Sequence, residues 1–213
     1  MAEYKVAIII PAFNEENTIA KVVESVKPYG CPIVVNDAST DNTAKLATQA
    51  GAIVVNHKTN QGYDQSLNSG FIEVDKRNFD AVITFDADGQ HNPKMLVKYI
   101  KYLSNGKDLV LGVRPKIERI VEQLFAVCTK LKFGWEDPLC GMKGYSMKLY
   151  KKQGYFDSYR SIGTELSIFG LIGQYSYVQL CIDISKRKDQ SRFYSAFLSN
   201  WRILKLLVRL CLS

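Results

Sequence analysis

The chain has 213 residues, 46% hydrophobic and 23% charged, enough for one domain with a proper core and a small C-terminal addition. Its five cysteines (Cys31, Cys128, Cys140, Cys181, Cys211) are scattered, odd in number and without a Cys-x-x-Cys pair, which argues against a zinc or disulfide framework and for a reducing compartment. Lys plus Arg number 28 against 21 acidic residues, a net charge of +7, and residues 186–213 carry +6 of it through seven basic residues and one acid, Asp189. Such a tail suits nucleic acid or an anionic membrane surface. No uncharged apolar run approaches the roughly 18–20 residues that span a bilayer. Met1–Lys5 leads straight into a strand, so no signal peptide is expected.

Val6–Ile10 is a short continuous apolar run, as in a strand buried on both faces. Pro11–Glu16 reads as a loop, with Asn14 placed to cap a helix from about Glu15 to Lys27. Pro32–Asn36 is a second strand, and Asp37–Asp41 leads into a helix of about Asn42–Ala50. Ala52–Val55 is a third strand, followed by a loop His57–Gly62 and a helix of about Tyr63–Val74. Ala81–Phe85 is the fourth strand; Pro93 opens a helix to about Leu103 at the position proline favours, and Leu109–Gly112 is the fifth strand. Residues 116–132 space their apolar side chains as a helix does. Phe133–Tyr145 is turn-rich and runs into a strand, Ser161–Gly173 reads as helix and Tyr175–Ile184 as strand. In Ser195–Leu212, Arg202, Lys205 and Arg209 share one helical face and Phe197, Leu204, Leu207 and Cys211 the other. The expectation is an amphipathic C-terminal helix lying on an anionic membrane, with packing on the domain or a second subunit as the other reading.

Five strand–helix alternations in about 110 residues predict a parallel sheet with helices on both faces. Ligands then bind beyond the carboxyl ends of the strands. Polar residues sit at four such ends in succession: Asn14 and Glu15, Asp37, Asn60 and Gly62, then Asp86 and Asp88. The last pair lies in Thr84-Phe85-Asp86-Ala87-Asp88-Gly89-Gln90-His91, where residues two apart on an extended segment converge. With the amide of Gln90 they form an all-oxygen set suited to Mg²⁺ or Mn²⁺ held between carboxylates and substrate phosphates. A solvated Asp-Gly turn is the other reading. Neither GxGxxG nor GxxxxGK[ST] occurs, which weakens a dinucleotide-binding reading and excludes a P-loop NTPase. His57 and His91 cannot by themselves make a multi-histidine metal site, and His91 reads as a loop polar group.

The segments IIIPAFNEENTI, VVNDASTDNT, NQG and DADGQH, in this order and spacing, resemble the family 2 glycosyltransferases of the GT-A fold. DPLCGMKGY brings them near the polyprenol- and dolichol-phosphate sugar transferases. The resemblance implies that Pro11, Ala12, Glu15 and Asp37, with Asn60 and Gly62, line the donor pocket. It implies that Asp86 faces the ribose and the metal, and that Asp88 and Gln90 hold the metal. Lys186, Ser191 and Arg192 would bind the acceptor phosphate. Asp137, in the pair Glu136-Asp137, would be the catalytic base if the acceptor is a hydroxyl. A lipid phosphate, already bearing about −1.5 to −2 charges, needs little base. The sequence departs from the pattern at Asn36, usually an aspartate, at Tyr63, commonly a lysine, and at Asp189, usually a glycine.

The expectation is therefore an α/β chain of GT-A fold, with a mainly parallel central sheet flanked by helices. Residues 1–185 would form the transferase domain (donor half 1–113, acceptor half 114–185), and 186–213 a basic loop and the amphipathic helix. Its activity would be metal-dependent, inverting sugar transfer from GDP-mannose or a UDP-sugar to polyprenyl phosphate, peripheral on the cytoplasmic face of the membrane. No nucleic-acid partner is expected, and a homo-oligomer is open. Transfer to a glycan hydroxyl, a nucleotidyltransferase and a non-catalytic membrane scaffold on the same fold are the competing readings.

Overall fold

A computed structural model of the protein describes residues 4–117, 119–184 and 201–207. Within these, seven strands form one sheet in the order β3-β2-β1-β4-β6-β5-β7. β1 (Val6–Ala12), β2 (Cys31–Asn36), β3 (Ile53–Asn56) and β4 (Ala81–Thr84) run parallel. β6 (Lys143–Ser146) is antiparallel to both β4 and β5 (Leu109–Val113), and β7 (Tyr177–Cys181) pairs parallel with β5. The crossovers are α1 (Ile19–Val26), α2 (Thr43–Gln49), α3 (Tyr63–Lys76) and α4 (Leu96–Ser104), the last entered through a 3-10 turn at Pro93–Met95. α5 (Ile120–Phe133), α6 (Met147–Gln153) and α7 (Glu165–Ile172) follow, and residues 201–207 are helical.

The apolar runs are continuous because both faces of the sheet are covered. Ile8 and Ile10 of β1 pack with Val22, Val23 and Val26 of α1 and with Leu96 and Tyr99 of α4. Ala7 and Ile9, pointing the other way, join Leu67, Phe71 and Val74 of α3 and Tyr145, Leu149 and Phe156. A third, smaller cluster joins Phe125 of α5 to Ile203 and Leu206.

Two expectations need correction. Asn14 does not cap α1, which starts at Ile19; its backbone is left-handed (φ 55°) and its side-chain oxygen accepts from Thr40 N–H at 2.8 Å. A contact across 26 residues has displaced the local cap. α6 was not expected, although its caps are legible: Ser146 Oγ accepts from Leu149 N–H, and Gly154 ends the helix in the left-handed conformation. Of the expected helix over 195–212, residues 201–207 are described, and they turn Ile203 and Leu206 inward. The remainder, with Phe197, Arg209 and Cys211, lies outside the described residues.

Phe71 is fully buried and stacks on Tyr150 (ring centroids 4.9 Å apart) and Phe156 (4.7 Å), with Tyr145 edge-on at 5.6 Å. Phe71→Ala is expected to destabilise the protein by about 3–5 kcal/mol. Urea unfolding followed by far-UV circular dichroism measures this directly.

Candidate active site

The loops that follow β1 to β4 meet at one edge of the sheet. Asp37, beyond β2, organises them: Oδ1 accepts from Gln61 N–H (2.8 Å) and faces His57 Nδ1 (2.7 Å), while Oδ2 accepts from Gly62 N–H (2.8 Å). Gly62 sits at φ 90°, a conformation that a side chain would strain, and so its N–H can turn toward the carboxylate. His57 Nε2 is in turn 2.8 Å from Ser69 Oγ on α3. The carboxylate is thus a clamp between two strand ends, its Oδ2 engaged by one of these bonds and its Oδ1 by two. Ala12 O accepts from Asp37 N–H at 2.9 Å, Glu15 N–H donates to Thr43 Oγ1 at 2.7 Å, and Pro11 stands beside Val35 in the β1–β2 register. Asn36 is buried and donates from Nδ2 to Asn56 Oδ1 at 2.8 Å, a bond an aspartate could not donate. Asn60 reaches Asp37 O at 3.4 Å.

Asp86 and Asp88 follow β4. Asp86 keeps 32% of its side chain exposed, and its Oδ2 lies 2.9 Å from Nε2 of the buried His91. Burial opposes charge on Asp86, but the hydrogen bond and charge of His91, with Lys143 and Arg114 beyond, outweigh it and hold its pKa below the ordinary value. Burial likewise opposes the imidazolium, and the bond and charge of Asp86, then the charge of Asp88, raise the His91 pKa. Asp86 is therefore an anion at neutral pH. Asp88 Oδ1 accepts from Gln90 N–H at 3.0 Å, which closes the turn. Among the described residues no cluster of three or more His, Cys, Asp or Glu forms a ready-made metal cage. Two oxygen-donor carboxylates, one of them partly open, fit instead a hard cation that draws further ligands from a substrate.

β6 brings a second group of residues to the same place. Thr84 Oγ1 donates to Gly141 O at 2.6 Å, and a Cβ at Gly141 would collide with the Asp86 carboxylate. Asp137 is fully buried and bound by Arg114 through its backbone N–H (3.0 Å), Nε (2.7 Å) and NH2 (2.8 Å). Arg114 NH2 also reaches Glu122 Oε2 at 3.1 Å. Lys143 is buried, donates from Nζ to Gly163 O at 2.7 Å and lies over the Trp135 ring at 5.2 Å; burial pulls its pKa down to about 8. Arg114, Lys143 and His91 were not expected as site residues. Arg114 and Lys143 follow strand-end and turn signals that say nothing of charge pairing, whereas His91, directly after DADGQ, was legible by position. Lys186, Ser191 and Arg192 lie outside the described residues.

The profile of Glycosyl transferase family 2 matches residues 7–157, which takes in every loop just described. The chain belongs to that family. It is a glycosyltransferase, and the nucleotidyltransferase and scaffold readings fall away. An uncharacterized protein of Methanocaldococcus jannaschii is 32% identical over 163 residues, covering 70% of this chain and 67% of its own length. The UDP-N-acetylglucosamine–dolichyl-phosphate N-acetylglucosaminyltransferase of Methanococcus voltae is 32% identical over 54% of each chain, so the match spans about half that enzyme. The dolichyl-phosphate hexose transferase of Haloferax volcanii is 24% identical, over 100% of this chain and 97% of its own. In structure, glucosyl-3-phosphoglycerate synthase of Mycobacterium tuberculosis, crystallised with Mn²⁺, UDP and glucosyl-3-phosphoglycerate, superposes with a TM-score of 0.78 at 20% identity, over 98% of this chain and 80% of that one. The shared fold is the GT-A α/β architecture.

Asp64, at the start of α3, accepts from Gly163 N–H at 2.7 Å; burial first, then the charge of Asp157, push its pKa up to about 6 from 3.8. A folded pKa above the unfolded one means stability present below about pH 4 and lost as pH rises to about 6, by about 3 kcal/mol in all. Asp64→Asn keeps the acceptor oxygen and removes the charge. The variant is expected to melt above the wild type at pH 8 and to lose that advantage at pH 4, as read by thermal melts across pH. Asp37→Ala, by contrast, leaves Gln61 and Gly62 N–H unmet and is expected to lose about 1–3 kcal/mol in urea unfolding.

Proposed function

We propose that the protein transfers a sugar from a nucleoside diphosphate-sugar to a lipid phosphate, with inversion at the anomeric carbon. The observation that carries the acceptor class is the state of Asp137. It is the one sequence candidate for a base, and it is fully buried with Arg114 bonded to both of its oxygens. A hydroxyl acceptor would need that carboxylate free. A phosphate monoester brings its own anionic oxygen, and Arg114 and Lys143 supply positive charge beside Asp86 to receive it. The names of the Methanococcus and Haloferax relatives, both dolichyl-phosphate transferases, support the same class. In this reading Asp137 positions Arg114, and Lys186, Ser191 and Arg192 contribute further cationic and hydroxyl contacts to the phosphate.

Pro11, Ala12, Glu15, Asp37, Asn60 and Gly62 form the donor side, with the remaining Asp37 lone pair available to a base N–H of uracil or guanine. Asp86, Asp88 and Gln90 would hold Mg²⁺ or Mn²⁺, which when bound supplies Lewis-acid neutralisation of the departing diphosphate. The acceptor phosphate oxygen attacks the anomeric carbon, that bond forms as the bond to the diphosphate oxygen breaks, and the electron pair leaves with the nucleoside diphosphate. No proton need be removed. His91 keeps Asp86 ionised and oriented; catalysis then rests on positioning and charge stabilisation. The protein would work peripherally at the cytoplasmic membrane face, with residues 195–212 contributing to the contact.

Asp88→Asn retains an oxygen for Gln90 N–H and removes one ligand charge. Nucleoside diphosphate release from a panel of UDP- and GDP-sugars, with Mg²⁺ or Mn²⁺ and polyprenyl phosphate, is expected to fall at least 100-fold in this variant while its melting temperature stays within about 2 °C of wild type. Wild-type turnover on a glycan hydroxyl but not on polyprenyl phosphate would overturn the acceptor assignment.

A further inference from the structure

His57 has no part in the chemistry above, yet both nitrogens of its ring are engaged. Its side chain is 6% exposed; Nδ1 lies 2.7 Å from Asp37 Oδ1, and Nε2 lies 2.8 Å from Ser69 Oγ. A carboxylate only accepts, so Nδ1 carries the hydrogen toward Asp37, while Nε2 shares its bond with a hydroxyl that can turn to suit it. One imidazole thus joins three segments: the residue after β2, the start of the loop after β3, and the first half of α3.

The segment 57–62 takes its shape from these bonds. Lys58 to Gln61 are exposed, so burial does little to hold the loop and hydrogen bonds do the rest. At its start His57 N–H donates to Asn36 O at 2.9 Å. At its end Gln61 and Gly62 N–H each donate to Asp37 at 2.8 Å. His57 Nδ1 and Gln61 N–H meet on the same oxygen, Oδ1, so the ring fixes the rotation of the carboxylate on which the loop closes. Ser69 fixes the ring in turn, and it stands on a helix whose Leu67 and Phe71 are buried in the core. Dependence therefore runs from α3 to imidazole to carboxylate to loop. An apolar ring would fill the same space without two buried nitrogens to satisfy, so packing alone does not account for a histidine here.

We infer that His57 is a positioning residue for donor recognition. It holds Asp37 in the rotation that gives the 57–62 loop its binding shape, and thereby places Asn60 and Gly62 for the nucleoside diphosphate. The inference rests on the donor half of the reading above and is independent of the acceptor. A loop set in advance loses less freedom when the ligand arrives, so His57 acts on binding. The chemical step is left nearly untouched, because Asp86, Asp88 and Gln90 stand on another segment.

The test uses the full chain and three variants. His57→Phe keeps a ring and donates nothing; His57→Asn offers its amide N–H to Asp37 and gives up Ser69; Ser69→Ala removes only the hydroxyl behind the ring. UDP and GDP are titrated calorimetrically with Mn²⁺, at one temperature at which circular dichroism shows the variants folded. Nucleoside diphosphate release gives the donor KM and kcat. His57→Phe is expected to raise the nucleotide Kd and the donor KM about tenfold, with kcat within about threefold of wild type. His57→Asn is expected to recover most of that loss, and Ser69→Ala to weaken binding by about two- to fivefold. A lowered melting temperature with Kd and KM unchanged in His57→Phe overturns the inference and leaves His57 a packing residue. Equal losses in His57→Asn and His57→Phe also overturn it, since Asp37 is then not the route. If His57→Phe does not fold, Ser69→Ala decides, and an unchanged Kd there overturns the inference. Failure of the donor reading looks different: the wild type itself binds neither nucleotide with Mn²⁺, and the inference falls with it.

Discussion

Everything at the site depends on how closely β6 approaches β4. β6 enters antiparallel between β4 and β5, and the hydrogen bond from Thr84 Oγ1 to Gly141 O sets the Asp137–Gly141 turn against the Asp86 carboxylate. With Asp86 in its present position, a Cβ at position 141 would collide with its carboxylate. This single approach brings two sequence segments about fifty residues apart into one electrostatic unit: Asp86 and His91 from one, Asp137 and Lys143 from the other, with Arg114 between them. An extra methyl group at Gly141 would have to move the Asp86 side chain.

Charge in this unit is balanced rather than merely concentrated. Asp137 is fully buried and tolerable because Arg114 satisfies both of its oxygens in a bidentate pair. Lys143 is less well compensated, with one carbonyl and an aromatic face for partners, and burial lowers its pKa accordingly. Asp64 faces the opposite problem beside Asp157. Buried charge of this quality weakens the fold and is characteristic of sites that bind charged substrates. The transferase retains Arg114 and Lys143 close enough to Asp86 to help hold it ionised.

On the donor side the same economy of parts is visible in Asp37. One carboxylate ties the loops after β2 and β3 together through two backbone N–H groups and His57. A substitution there would loosen two loops at once. The two-faced α5 is a comparable case at larger scale: one side holds the 201–207 helix, and the other meets the surroundings.

The sequence alone determined the parallel half of the fold. β1, β2 and β4 are buried on both faces, so each is a continuous apolar run, and the polar residues from Asn14 to Asp88 follow the carboxyl ends of the parallel strands. It also singled out Asp86 and Asp88, which follow β4 two residues apart. Tertiary structure decided the rest. That Arg114 occupies Asp137 depends on β5 and the turn before β6 being brought together by strand pairing, which no local spacing encodes. That Asn14 bridges to Thr40 rather than capping α1, and that Ile203 and Leu206 face Phe125, are likewise contacts between distant segments. A helical stripe looks the same in sequence whether it packs on protein or stays exposed; which of α5's two apolar faces remained open was settled only when the other was covered.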